Sequence, residues 1–465
     1  MSARLFPPET WQGVRVGVIG LGASGTAAAR ALQRCGARLI LNDAQPSSQQ
    51  AQIEAQLRSA GIAWEALVLG DHPLELLEAV ERLIVSPGVP FDLPLLRAAR
   101  ERGLPTLGEL ELAYQLTEAP FVAVTGTKGK STTTTLIGQM LEAAGIAAVV
   151  AGNIGTPLTA VALDTPPERW IVAEVSSFQL ESVFQFRPRI GVVLNVTADH
   201  LDRHRSLEAY LSAKLRLTEN QKAEDLLILN AQDTTARRFI ERTRARIRRF
   251  SLEPRAEAEA FLSKGWLCLR SGGRTISLCR REELRVLGDH FVEDALAAAL
   301  TAWELGALPE QIAQPLREFR GLPHAYELVA VREGVAYVDD SKATNLAAVL
   351  AAVRATPPES PIVLIFGGVD KGNDYTGFLP AVRGRLRAVV LLGTETERLE
   401  ALFRGVVPTV VCRSMEAAVR AASRLARPGD TVLLSPGHAS FDLFANWKER
   451  GDAFQRAVRN AGREQ

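Results

Sequence analysis

The stretch Phe121-Val-Ala-Val-Thr-Gly-Thr-Lys-Gly-Lys-Ser-Thr-Thr133 decides how this chain is read. Phe121 to Val124 is an apolar run of the kind that forms a buried strand, and Thr132 to Ala144 has helical character. Between them lies a short loop with Gly126 and Gly129. Strand, glycine loop and helix make a phosphate cradle. The glycines let backbone N–H groups approach phosphate oxygens, and a helix N-terminus favours an anion. The candidate triphosphate-binding residues are therefore Gly126, Thr127, Lys128, Gly129, Lys130, Ser131 and Thr132. Lys130 brings a point charge, and the Ser131 hydroxyl stands where a Mg²⁺ ligand is needed. The spacing is tighter than G-x-x-x-x-G-K-[ST], because Val124 takes the place of the first glycine. A glycine turn that merely joins strand to helix is the competing reading. Gly-Lys-Ser-Thr opening a helix directly after a strong strand favours the cradle.

The chain has 465 residues, 47% of them hydrophobic, enough for two to four domains with full cores. Its 54 Lys+Arg and 53 Asp+Glu leave a net charge of +1. That balance excludes recognition of nucleic acid or membrane by bulk charge, while leaving room for a local phosphate pocket. Cys35, Cys268, Cys279 and Cys412 are far apart and show no C-x-x-C spacing, so they read as reduced structural cysteines. Met1 to Thr10 lacks the apolar core of a signal peptide, and no run of about 18 apolar residues occurs. The expectation is a soluble, cytoplasmic monomer with no nucleic-acid partner and no membrane insertion.

Before the cradle, Val14 to Ile19 reads as a strand leading into Gly20-Leu-Gly-Ala-Ser-Gly25 and an Ala-rich helix. Arg38 to Leu41 is the next strand, ending in Asn42-Asp43. This is a G-x-G-x-x-G fingerprint with an acidic residue roughly 20 positions on. The pattern does not choose between NAD, FAD, another nucleotide diphosphate and an unliganded turn. Arg82-Leu-Ile-Val-Ser-Pro-Gly88 is a strand ending in a turn, at the edge where open parallel sheets bind ligands.

After the cradle, Gly152-Asn-Ile-Gly155 follows a strand around Ala147 to Val150. Trp170 to Val175 is a strand carrying Glu174, and Ser176 to Glu181 is expected to continue it. Ile190 to Val196 empties into Thr197-Ala-Asp-His-Leu-Asp-Arg-His204. Ser206 to Gln221 is an amphipathic helix with Lys214, and Asp225 to Asn230 is a strand. Ser131, Glu174, Asp199 and His200 would then meet at one sheet edge, where a carboxylate and an imidazole suit a divalent metal. Arg237 to Leu287 is basic and irregular, with antiparallel strands such as Trp266 to Leu269 and Thr275 to Leu278. Gly288 opens a helix to Leu305. Beyond Gly321-Leu-Pro-His324, strands at Ala336 to Asp340, Ile362 to Phe366, Val389 to Leu392, Thr409 to Cys412 and Thr431 to Leu434 alternate with helices. The fold class is α/β with a mainly parallel sheet in each of three domains. They are a Rossmann-like N-terminal domain over 1–108, a central P-loop mononucleotide-binding ATPase domain over 109–320 and a Rossmann-like C-terminal domain over 321–465.

In this order, Thr125-Gly-Thr-Lys-Gly-Lys-Ser-Thr, Gly152-Asn-Ile-Gly, Glu174-Val-Ser-Ser-Phe-Gln-Leu-Glu, Leu194-Asn-Val-Thr-Ala-Asp-His-Leu-Asp, Ala213-Lys-Leu-Arg, Asp340-Ser-Lys-Ala-Thr-Asn and Leu434-Ser-Pro resemble the Mur ligase family. The resemblance spans nearly the whole chain. The Ser-Ser-Phe-Gln-Leu-Glu and Asp-Ser-Lys-Ala-Thr-Asn forms point to the branch that adds D-glutamate. It implies ATP-driven amide formation on UDP-N-acetylmuramoyl-L-alanine through an acyl phosphate. The partners implied are that nucleotide sugar, D-glutamate, ATP and Mg²⁺ at two sites. Carried over residue by residue, Lys130 would hold the ATP phosphates and Asp340 the ribose. Ser131 and Glu174 would bind the first Mg²⁺, and His200 the second. Lys214 matches a lysine that the family carbamylates, which would turn an ammonium into a metal-binding anion. Lys130, His200 and Lys214 are thus the implied catalytic residues. Ala23, Ser24, Asp43, Gly88, Asn153 and Gln179 would bind the UDP substrate, which removes the NAD reading. Lys342, Thr344, Lys371, Ser440, Phe441 and Trp447 would bind the amino acid and the substrate end near it.

Some positions depart from the family pattern. Ala325 stands where an ATP-contacting arginine follows Gly-Leu-Pro-His, with Arg320 and Arg332 as the nearby candidates to replace it. The helix opening reads His290-Phe-Val-Glu-Asp294 in place of His-Asn-x-x-Asn. Pro436-Gly-His-Ala-Ser440 replaces Pro-Ala-Cys-Ala-Ser, and Trp447 replaces a phenylalanine. Weaker ATP binding is the expected consequence. A non-catalytic nucleotide-binding relative, or a sibling ligase for another amino acid, are the alternatives.

Overall fold

The computed structural model describes residues 4–461 except 287, 371, 372 and 374, and gives no side-chain surroundings for 201, 202 and 347. Two compact units divide the chain, Met1–Phe319 and Arg320–Gln465.

The first unit holds two sheets. Strands β1 (Arg15–Ile19), β2 (Arg38–Asp43), β3 (Ala66–Leu69), β4 (Arg82–Val85) and β5 (Thr106–Gly108) form a parallel sheet in the order β3-β2-β1-β4-β5. The order reverses between β1 and β4, so the loops after these two strands flank the ligand crevice of the sheet. The second sheet has nine strands: β6 (Phe121–Thr125), β7 (Ala148–Gly152), β8 (Trp170–Glu174), β9 (Ile190–Val193), β10 (Leu226–Asn230), β11 (Arg246–Ser251), β12 (Ala260–Ser263), β13 (Trp266–Ser271) and β14 (Arg274–Arg280). Their order is β14-β13-β12-β11-β10-β9-β6-β8-β7, and only β12-β13-β14 pair antiparallel. Every residue of β6 is buried. That matches a central parallel strand covered on both faces, and each buried Phe or Val there contributes about 1.5–3 kcal/mol.

Three expectations change. Ser176 to Glu181 does not prolong β8; the strand stops at Glu174 and Ser177–Leu180 forms a helical turn. Ser176 Oγ accepts from the Gln179 N–H at 3.3 Å, and Gln179 Oε1 accepts from the Ser176 N–H at 2.9 Å. This reciprocal capping box satisfies the free N–H groups of a helix start and outweighs strand propensity. The helix expected over 206–221 is an α-helix at Leu207–Leu215 followed by a 3₁₀ turn at Arg216–Thr218. The segment read as irregular contributes β11 and β12 as well. In β11, Arg248 is matched by Glu304 at 2.9 Å and Glu259 at 3.4 Å, which lets a basic segment join the sheet.

One apolar core serves both sheets of this unit. It runs from Val16, Val18 and Leu32 beside the first sheet, through Leu110 and Leu112, to Phe121, Phe186 and Leu229 in the second. The helix Glu109–Gln115 between the sheets buries even its acids. Glu111 Oε2 accepts the N–H groups of Phe184, Gln185 and Phe186 at 2.8, 3.2 and 3.0 Å, and Glu109 Oε1 accepts from Thr159 N at 2.7 Å. Burial pushes both carboxyls up from their ordinary range, and these hydrogen bonds act against the rise.

The second unit carries β15 (Glu327–Arg332), β16 (Val335–Asp339), β17 (Ile362–Phe366), β18 (Leu386–Leu392), β19 (Thr409–Cys412) and β20 (Thr431–Leu434). Their order is β15-β16-β20-β17-β18-β19, parallel except for β15 against β16. Among the described residues no helix is long and apolar enough to cross a membrane.

Candidate active site

The cradle starts where β6 ends. Its helix begins at Lys130, earlier than the apolar run indicates. Gly129 caps it with φ +83°, a left-handed conformation that glycine adopts without strain. A Cβ at Gly129 would also fall 2.0 Å from Asp294 Oδ1, so the position needs glycine twice over. The loop is braced by Asn195, just after β9. Asn195 Oδ1 accepts from the N–H groups of Thr127 and Lys128 at 3.1 and 2.9 Å, and its Nδ2 donates to the Lys128 carbonyl at 3.2 Å.

Two lysines share one carbonyl of this loop. Lys130 Nζ donates to the carbonyls of Gly126 and Thr127, both at 2.9 Å. Lys214 is buried, and its Nζ donates to Gly126 O at 2.8 Å. Burial first, and then the charge of Lys130, hold Lys214 well below the ordinary lysine range. Tyr210 lies between: its ring centroid is 4.6 Å from Lys214 Nζ, its hydroxyl is 3.2 Å from Thr127 Oγ1, and its ring is 6.5 Å from that of His200. His200 is exposed, with a strained φ of +52°. Glu174 ends β8, which pairs with β6, and is buried. Its Oε1 accepts from Asn153 Nδ2 at 2.7 Å, whereas Oε2 is buried with no hydrogen-bond partner. A buried carboxylate oxygen left unpaired at the end of a strand beside the cradle is the donor a hard divalent cation takes, so the residues present fit Mg²⁺. Ser131 and Thr132 follow Lys130 in the first turn, both half-buried, and Lys128 is exposed.

At the first sheet, Ala23 and Ser24 open the helix Ala23–Arg34, with Ala23 exposed. Asp43 Oδ2 accepts from the Leu21 N–H at 2.6 Å, so this acid also holds the glycine turn in shape. Gly25 packs so closely that a Cβ would meet Gly20 O at 1.8 Å. Gly88 is exposed beyond β4. Arg203 donates to Val89 O at 3.1 Å and to Glu181 at 3.0 Å, tying the loop after β4 to the helix turn after His200. Gln179 is buried in its capping box.

In the second unit, Asp340 is buried. Its Oδ1 accepts from Tyr326 N at 3.1 Å and its Oδ2 from Ser435 Oγ at 2.7 Å. Burial raises its carboxyl to about 7. Lys342 is exposed, with Nζ 5.9 Å from the Trp447 ring, and Thr344 is half-buried. Ser440 is buried and Phe441 is 70% exposed. Lys371 lies outside the described residues. Arg450 is buried and links the loop holding Lys342 and Thr344 to the loop holding Ser440. It donates to Ser341 Oγ at 3.0 Å, Ser341 O at 2.9 Å and His438 O at 3.1 Å. Arg332 does not stand in for the arginine missing at Ala325. It sits at the β15–β16 hairpin end, paired with Val335, about 17 Å along the strand from Glu327 at roughly 3.4 Å per residue. His324, Glu327 and Asp339 form a close group, but Gln455 and the His324 backbone satisfy the acids, so the group is a buried charge network.

Asn195 and Arg450 escape the sequence reading of roles, and Asp294 enters it only as a departure from the family pattern. Asn195 leaves one signal, a polar residue closing an apolar run. Arg450 leaves none, because it is one charge among many on the helix Trp447–Asn460.

Family comparison assigns these units. Residues 14–108 match the model described as Mur ligase MurD-like, N-terminal domain; 124–302 match Mur ligase middle domain; and 326–438 match Mur ligase, glutamate ligase domain. The chain belongs to the Mur ligase family. This Mur ligase is 42% identical over 447 residues to a protein of Pelotomaculum thermopropionicum named UDP-N-acetylmuramoylalanine–D-glutamate ligase, covering 96% of this chain and 97% of that one. A protein of Acidobacterium capsulatum with the same name is 41% identical, covering 96% of each chain. Among solved structures, the UDP-N-acetylmuramate–alanine ligase MurC of Thermotoga maritima shares the fold with a TM-score of 0.57 at 19% identity, covering 97% of this chain and 100% of that one. The MurF ligase of Thermotoga maritima in complex with ADP does so at 0.54 and 15%, covering 98% of each chain.

Proposed function

We propose that this Mur ligase joins D-glutamate to UDP-N-acetylmuramoyl-L-alanine at the expense of ATP, in peptidoglycan precursor synthesis. The observation that carries this reading is identity along the full length to relatives bearing that activity in their names. The cradle supports it with the cations the chemistry needs.

The substrate carboxylate attacks the γ-phosphorus of ATP, ADP leaves, and an acyl phosphate forms. The amine of D-glutamate then attacks the acyl carbon, loses a proton, and phosphate leaves. In the first step anion meets anion: each unit-charge pair at 4 Å repels by about 1 kcal/mol in water and roughly 4 at an effective dielectric of 20. Lys130, whose Nζ donates to the carbonyls of Gly126 and Thr127 in the loop, supplies one compensating charge. Ser131 and Glu174 would hold Mg²⁺, with His200 and a carbamate on Lys214 at a second site, and the metal would neutralise phosphate charge. Lys214 suits carbamylation, because a buried amine kept neutral is the form that adds CO₂. The loops after β1 and β4, with Asn153 and Gln179, bind the UDP substrate. Asp340 takes the ribose, using lone pairs left over from Tyr326 and Ser435. Lys342, Thr344, Lys371, Ser440, Phe441 and Trp447 receive D-glutamate. We read the enzyme as a cytoplasmic monomer.

Phosphate release with ATP, Mg²⁺ and UDP-N-acetylmuramoyl-L-alanine, with and without D-glutamate, tests this reading. Release that depends on D-glutamate is expected. Release with L-lysine or diaminopimelate instead would assign a sibling activity, and no release with any amino acid would leave a non-catalytic relative.

A further inference from the structure

The helix Asp289–Glu304 packs along the helix that follows the cradle, and Asp294 points from it at the loop. Asp294 is 5% exposed. A Cβ on Gly129 would meet its Oδ1 at 2.0 Å and its Oδ2 at 2.9 Å, so the carboxyl occupies the space beside Gly129 that a side chain would take. Gly129 is the residue whose left-handed turn caps the helix of the cradle. From the cradle helix, Lys130 and Thr133 face this carboxyl. From its own helix comes Glu293, which is engaged by Asn230 Nδ2 of β10 at 3.1 Å and lies near Asp233, Asp289 and His290. Lys130, the cation among the groups facing Asp294, directs its Nζ at the carbonyls of Gly126 and Thr127. A carboxyl buried there is held largely by burial, with Glu293 adding like charge, and it is raised to about 8.

We propose that Asp294 is a further residue of the nucleotide site and works there as a neutral carboxylic acid, compatible with a triphosphate only while it keeps its proton. This rests on the ATP reading of the cradle alone, not on the identity of the amino acid. The physical basis is linkage. A protonated carboxyl against Gly129 adds no charge beside the phosphates and can act as a hydrogen-bond donor, as an amide in its place would. Ionised, it adds an anion in a poorly solvated site. Bound ATP therefore draws a proton onto Asp294. Above about pH 8 the affinity for ATP falls by up to about tenfold per pH unit, and binding is accompanied by proton uptake.

The test is calorimetric titration of the full-length chain with ATP and Mg²⁺ from about pH 7.5 to 9.5, in two buffers of different ionisation heat, for the wild type and Asp294→Asn. For the wild type, affinity should fall at least tenfold across this range and proton uptake should grow with pH. Asp294→Asn should bind within about twofold of wild type at the low end, at least tenfold tighter than wild type at the high end, and with less proton uptake. The same slope and uptake in both proteins would overturn the proposal, as would a variant uniformly weaker at every pH, which marks a packing role. Should the variant fail to fold, a wild type that binds ATP with no proton uptake at high pH overturns it alone. Absence of ATP binding by the wild type at any pH would sink the nucleotide reading itself.

Discussion

Asn195→Ala is the substitution that most directly tests how the phosphate loop keeps its shape. The side chain makes three hydrogen bonds to the backbone of Thr127 and Lys128, at 3.1, 2.9 and 3.2 Å. A neutral hydrogen bond contributes about 0.5–1.5 kcal/mol net. The Thr127 N–H keeps a bond to the Asn195 carbonyl at 2.9 Å, and Lys128 is exposed enough for water to replace its partners. The loss therefore falls at the low end, about 1–2 kcal/mol, felt as freedom of a loop that must be ordered to bind. That converts to ATP binding weaker by about 5–30-fold. Titration with ATP and steady-state phosphate release would show a raised KM for ATP and an unchanged KM for D-glutamate. Asn195→Asp should be worse than alanine, since it keeps the acceptor, loses the donor and sets a carboxylate against the Lys128 carbonyl. Asn195→Ala binding ATP within about twofold of wild type would refute the bracing argument.

Two further outcomes follow from buried ionisable groups. Activity should fall in buffer stripped of CO₂ and return on adding bicarbonate, while Lys214→Ala is at least about 100-fold slower and indifferent to bicarbonate; equal wild-type rates with and without CO₂ would remove the carbamate from the mechanism. Asp340 is raised from 3.8 to about 7, so the folded state holds its proton longer than the unfolded chain. Its contribution is complete below about pH 4 and is lost as pH rises towards 7, with a ceiling of roughly 4 kcal/mol. In thermal unfolding followed from pH 4 to 8, Asp340→Asn should gain on the wild type as pH rises; a constant gap between the two would contradict the shift.

The parts of the fold that could be read from sequence were those in which an element's surroundings are implied by its own residues. β6 is apolar up to Val124 and β17 is apolar throughout, and a strand of that kind is stable only with both faces covered. The cradle is equally self-contained, because its glycines, lysine and hydroxyl are adjacent. What could not be read was set by partners far along the chain. Glu109-Leu-Glu-Leu112 has the look of a solvated face, yet its acids are buried because N–H groups from 159 and from 184–186 reach them. The arginines of β11 hide a strand until Glu259 and Glu304 answer Arg248. The turn at Ser177–Leu180 hinges on a local contest between a capping box and β-propensity, which hydrophobic pattern does not decide. At the site, Asn153 is exposed and already committed to Glu174, and the orphaned oxygen of Glu174 is visible only once the strands are paired.

The core shared by the first two sheets bears on how such a chain is cut. The N-terminal family segment ends at residue 108, but the apolar packing does not; it continues through Leu110 and Leu112 into the second sheet. The family segment is thus smaller than the compact unit that packs around it. Severed at 108, it would present to water the flank that Leu110 and Leu112 now cover, so a fragment for separate study is better closed at Phe319 than at the border drawn by ancestry.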